Sequence, residues 1–140
     1  MRHVSLRLLA RFAAAVLVVT ALSACAKAPS KVFLDLQDAA RKGDAEAFAA
    51  NFSEDSQPFA RALLALYDSQ YPAGGPAPRP LDQLTLMEVQ KETIDGDKAE
   101  LEVKAQGGAP VVLVFVKEKG HWRLDVDRTD REGRNTQDEE

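Results

Sequence analysis

Cysteine is almost missing from this chain of 140 residues: Cys25 stands alone. One thiol cannot form an internal disulfide, so the fold has to be held by its core. Histidine is nearly as scarce, with only His3 and His121. Transition-metal sites are built from clustered His and Cys ligands, and that material is lacking. The charge-free apolar run Phe12 to Leu22 has eleven residues, well short of the roughly 20 that a bilayer-spanning helix needs. Positive charge is in deficit too: 18 Lys and Arg stand against 22 Asp and Glu. That balance repels nucleic acid and anionic head groups. A phosphate-cradling glycine loop is also wanting. The glycine-rich stretch "AGGPAP" carries prolines, which remove the backbone N–H donors such a loop uses.

What is present begins at the amino end. Arg2, Arg7 and Arg11 precede the apolar run, and small residues follow it. A basic start, a short apolar centre and a small-residue end predict a secretory signal peptide over residues 1–24. A short membrane anchor helix or a buried core helix is the alternative. Loss of this segment removes three arginines and no acid. It leaves 15 basic against 22 acidic side chains, a formal charge of −7.

The stretch Leu22-Ser23-Ala24-Cys25 resembles the bacterial lipobox. The resemblance implies that the Cys25 sulfur receives a diacylglyceryl group, that the signal is cut before it, and that the new amine is acylated. It accounts for a lone sulfur as an attachment point; the alternative is a secreted protein with an incidental cysteine. Each buried methylene contributes about 0.8 kcal/mol, so two or three chains on one residue make a lasting membrane anchor. In the sorting rule of such lipoproteins, Asp after the Cys favours the inner membrane. Ala26 stands there, which implies the outer membrane, on its periplasmic side.

Residues 25–30 read as the lipidated cysteine and a short tether, 31–127 as one domain, and 128–140 as a polar, disordered tail. Three helices come first. In "SKVFLDLQDAARKGD", Ser30 is placed to cap, Val32, Phe33, Leu36, Ala39 and Ala40 share a face, and Gly43 ends the helix. Asp44 caps a second, short helix carrying Phe48 and Phe52. A third begins near Ser56, with Pro58 in its first turn and Phe59, Leu63, Leu66, Tyr67 and Gln70 on one face. Pro72 to Pro80 is a linker, neither helix nor strand.

Beyond it the apolar period becomes two. Strands are predicted at Leu84–Ile94, 98–105, 110–118 and 121–127, joined by turns at Asp95–Asp97, "GGAP" and "KG". Helices followed by a meander define an α+β fold: N-terminal helices packed on one face of a four-stranded antiparallel sheet. The third strand is apolar on both faces. Val111, Leu113 and Phe115 oppose Val112, Val114 and Val116. The second row is covered by the C-terminal tail, by a partner or second copy, or by lysine and glutamate stems of neighbouring strands. Val112, Val114 and Val116 are therefore the candidate partner-binding or ligand-binding residues.

Two stretches, "AARKGDAEAFAANF" and "VFVKEKGHWRLDVD", carry a second resemblance. They are similar to the helix–Gly-Asp–helix opening and the closing hairpin of small bacterial lipoproteins in the cystatin-like, nuclear transport factor two superfamily. The resemblance implies a curved sheet wrapped on helices, with a cavity in some members. Enzymes and non-enzymes share that scaffold, so it does not supply a function.

Catalytic parts are scarce. His121 is placed on a wet strand face without an evident serine and orienting acid. Asp35, Tyr67 and Tyr71 are the groups an acid–base site would use. Asp125, Asp127 and Asp130, and the Asp95–Asp97 turn, lack the spacing of a calcium loop. These readings point to a non-enzymatic, lipid-anchored domain that binds or scaffolds, with no metal site and no cofactor. The alternatives are a carrier whose cavity is lined by Phe33, Leu36, Leu63 and Trp122, and a low-specificity isomerase or hydrolase.

Overall fold

The computed structural model describes residues 26–70 and 80–137. Its helices are α1 (Pro29–Lys42), α2 (Ala45–Ala49), α3 (Gln57–Gln70), α4 (Pro80–Thr85) and α5 (Val126–Gln137), with a 3-10 turn at Glu54–Ser56. Strands β1 (Glu88–Asp95), β2 (Lys98–Lys104), β3 (Pro110–Glu118) and β4 (His121–Leu124) form one antiparallel sheet in the order β1-β2-β3-β4. The expected meander, with helices before it, is present.

Local chemistry sets the helical ends. Gly43 takes the left-handed conformation at φ 66° that closes α1. Asp44 then caps α2 by accepting from the Ala47 N–H at 3.0 Å. Ser30 is not the cap of α1. Ala28 holds that position, Pro29 fills the first helical place, where its missing N–H costs nothing, and the Ser30 N–H donates to the Glu92 carboxylate at 2.7 Å. The supposed tether is thus partly packed: Ala26 and Ala28 are half-buried and Pro29 is buried.

Helix α3 turns a different face inward from the one its larger residues suggest. Ala60, Leu64 and Tyr67 are buried, whereas Phe59 and Leu66 are 50% and 55% exposed. Ala60 has no accessible surface; a small side chain there lets α3 lie close on α2, where Arg61 also pairs with Glu46. Phe48 and Phe52, one turn apart, stack at 5.1 Å between centroids.

The first strand starts later than the alternation suggests. Pro80 opens α4 instead of closing a linker, and Leu84 and Thr85 belong to that helix. Leu81, Leu84 and Met87 pack against the core. The buried Gln37 amide donates to the carbonyls of Leu84 and Met87, each at 2.8 Å, and so satisfies the end of α4. A bulge between Val89 and Lys91 follows. At the other edge, Asn51–Ser53 pairs with Leu124 through Leu124 N–H to Asn51 O and Ser53 N–H to Leu124 O, both 2.9 Å. That contact covers the free edge of β4.

The main core lies between α1, α2, α3 and the inner sheet face: Phe33, Leu36, Phe48, Leu101, Val103 and Phe115 are all buried there. Replacing Gln37 by Leu keeps the volume but takes the amide donor from both carbonyls, leaving Leu84 O with only the 3.3 Å bond from the Met87 N–H. We expect a loss of about 1–3 kcal/mol in urea unfolding; an unchanged midpoint would show that α4 is not held by this amide.

Candidate functional site

Strand β3 alternates Leu113 and Phe115 toward the main core with Val112, Val114 and Val116 toward the outer face, as the β2 register Leu101↔Leu113 and Glu100↔Val114 requires. Val114 has no accessible surface, and Val112 and Val116 are half-buried. Their cover is α5, the segment whose polarity suggested a disordered tail. The three valines therefore do not form an open docking surface in this state; among the expected covers, the C-terminal segment is the one in place.

Polar groups hold α5 there. Asp125 ends the sheet by donating its N–H to Val114 O at 2.9 Å, then caps the helix by accepting from Arg128 N–H at 3.0 Å. The Ser56 hydroxyl, itself bonded to Ser53, accepts the Val126 N–H at 3.1 Å. Thr129 Oγ1 accepts the Val114 N–H at 2.9 Å and donates to Asp125 O at 2.7 Å. It stands where a continued β4 would have offered a carbonyl. Farther along, Glu132 meets Lys98 at 2.7 Å, and Lys98 also meets Glu100 at 2.9 Å. Hydrogen bonds from Glu132 and then Glu100 hold the Lys98 ammonium above the ordinary lysine range. Asp125 and Asp127 are consequently a helix cap and a first-turn acid, not adjacent strand positions. The pattern Asp125-Val-Asp-Arg is a legible helix start that strand alternation outweighed.

A second feature is a shallow cleft of about 250 Å³ at the start of the described chain. Lys27, Asp35, Asn51, His121, Trp122 and Arg123 line it. Lys27 pairs with Asp35 at 2.5 Å, Arg123 donates to Ala50 O, and Lys117 lies 5.7 Å from the Trp122 ring. His121 is exposed. The cleft offers cations and a small acid, a setting for electrostatic contact. Asp35 and His121 line this one cleft, Asp35 paired with Lys27 and His121 open to solvent.

The other expected groups disperse. Tyr67, on α3, has its hydroxyl 3.4 Å from Asp82 of α4 and does not line the cleft that holds Asp35. Tyr71 and the lipobox residues Leu22, Ser23, Ala24 and Cys25 lie outside the described residues. Phe33, Leu36 and Trp122, named for a carrier cavity, are packed core members, and Leu63 is half-buried on α3. Asp95, Asp97 and Asp125 border an open groove with Asp55, Lys98 and Arg128. Among the described residues no group of three His, Cys, Asp or Glu is disposed to hold a metal ion. No described helix is long and apolar enough to cross a membrane.

Compared with known proteins, the chain matches no family model, no curated protein and no solved structure.

Two measurements probe the α5 latch. Thr129→Val leaves the Val114 N–H without its acceptor and is expected to cost about 1–3 kcal/mol in urea unfolding, with Thr129→Ser restoring most of it. Equal behaviour of the two variants would remove the hydroxyl from the account. A raised lysine pKa contributes stability below the unfolded value and loses it as pH rises through the folded one. Helicity at α5 should therefore hold from neutral pH to mild alkali and fall above about pH 10.5, as circular dichroism can follow; a Lys98→Met variant that keeps the same alkaline step would place its origin elsewhere.

Proposed function

We propose that this protein is a lipid-anchored, non-enzymatic binding or scaffolding domain of the cell envelope, held at the periplasmic side of the outer membrane through Cys25. The observation that carries the reading is one sulfur, after Leu22-Ser23-Ala24, closing a basic-then-apolar leader. We further read the helices-before-meander order as a cystatin-like roll. The separation of Tyr67, which meets Asp82 of α4, from the cleft that holds Asp35 and His121 supports the non-enzymatic part. A filled interior, with Phe33 and Leu36 fully buried, supports binding at the surface over carriage of an apolar ligand.

The binding part moves from β3 to α3. Phe59 and Leu66 are exposed one turn either side of the half-buried Leu63, and such a stripe is costly to leave in water.

Cys25→Ser should abolish incorporation of labelled fatty acid and release the protein from the membrane fraction; full labelling of that variant would refute the anchor. In detergent extracts of membranes, the acylated protein should migrate above its monomer size. Phe59→Asp combined with Leu66→Asp should return it to monomer size, since neither position is buried. A parent chain already monomeric would contradict binding through α3.

A further inference from the structure

We propose that the anchor fixes the domain's orientation, so that the β1–β2 and β3–β4 turns meet the phospholipid head groups and the β2–β3 turn points away from the bilayer. The inference rests on the proposed acylation of Cys25. Its structural support is the packing of the chain immediately after that residue.

Cys25 precedes Ala26 by one peptide unit, about 3.8 Å between Cα atoms. Ala26 and Ala28 are half-buried, Lys27 is ion-paired to Asp35, and Pro29 is buried as the first residue of α1. A flexible leash of ten residues would let the domain tumble at a distance of roughly 15–20 Å. Here no such leash separates the sulfur from the packed chain. The acyl chains must enter the bilayer within a few ångströms of where the packed backbone begins.

That point lies at one end of the sheet. The Ser30 N–H bonds to Glu92 in the half of β1 that leads to the β1–β2 turn, and Lys27 shares a cleft with His121, Trp122 and Arg123 at the start of β4. In an antiparallel meander, the end of β1 and the start of β4 lie at the same edge, together with both of their turns. The Lys117 N–H bond to Asp97 O, at 2.9 Å, joins those turns. The opposite end carries the β2–β3 turn, Gln106 to Gly108, beside an open groove with Leu86 and Gln83. With seven residues in β2, the two ends are roughly 20 Å apart.

The near end is mixed in charge: Asp95, Asp97 and Glu118 stand at its turns, and cations gather on the side where the chain enters. Lys27 and Lys31 are the first charged side chains after Cys25 and both are exposed. With Arg123 and His121 they bring donors to the place where phosphates arrive, in a domain whose net charge is otherwise negative. Ile94, 52% exposed at the end of β1, adds an apolar contact at the same edge.

The test uses the full processed, acylated protein reconstituted in phosphatidylethanolamine–phosphatidylglycerol vesicles whose head groups carry a nitroxide. In that protein the Cys25 sulfur is a thioether, so an introduced thiol is the one reactive site. A fluorophore is attached through His121→Cys or, separately, through Gln106→Cys, both exposed positions. The expected result is loss of fluorescence at position 121 and none at 106. Equal quenching at both, quenching at 106 alone, or quenching at neither would overturn the proposed orientation. Maleimide uptake by the parent chain at Cys25 would instead show a free thiol, refuting the anchor and this inference with it. That outcome is separable because it appears before any vesicle is added.

Discussion

A central strand with apolar side chains on both faces cannot be left half-wet, and β3 is such a strand. Phe115 is sealed by the N-terminal helices and Val114 by α5, and neither retains accessible surface. Full burial of a side chain of this class contributes about 1.5–3 kcal/mol, so an uncovered valine row is a substantial loss in a small domain of marginal stability. The three-layer arrangement of helices, sheet and a single C-terminal helix follows from that demand. It also explains how a helix as polar as α5 finds a place. Its apolar contribution is small, and the valines below it supply what it lacks.

Buried polar groups decide where the covering elements sit. Gln37 ties α4 to α1, Ser53 and Ser56 tie the 3-10 turn to the start of α5, and Thr129 ties α5 to β3. Among the described residues no buried side-chain nitrogen or oxygen lacks a partner. Hydrophobic burial is indifferent to direction, whereas each of these bonds is satisfied in one register only. Exposed ion pairs such as Lys42–Asp38 and Lys119–Glu54 add little by comparison, because solvent and salt screen them.

Much of this was legible in the sequence because it is local. Strand β2 follows from strict alternation and β3 from an apolar run between two turn signals, and Gly43-Asp44 marks a helix end and a new cap. What escaped was set by tertiary contact. The inward face of α3 depends on the fit of Ala60 against α2, which no count of large apolar residues reveals. Helix α4 is six residues long and is stabilised by an amide 47 positions upstream, so its sequence reads as the start of a strand. Helix α5 lacks an apolar face of its own, and composition alone favoured disorder; only the unmet requirement of Val112, Val114 and Val116 signalled that something must lie over them. The proposed lipidation is different in kind. It rests on four adjacent residues, Leu22 to Cys25, and owes nothing to the fold.

The claim that α5 completes the sheet is most directly tested by native-state hydrogen exchange at the Val114 amide. That N–H is bonded to the Thr129 hydroxyl and to no neighbouring strand. If α5 is an integral layer, the Val114 amide will exchange with the slowest amides of the sheet. Exchange at the rate of the β2–β3 turn would mean that the helix is undocked much of the time, and would contradict the account.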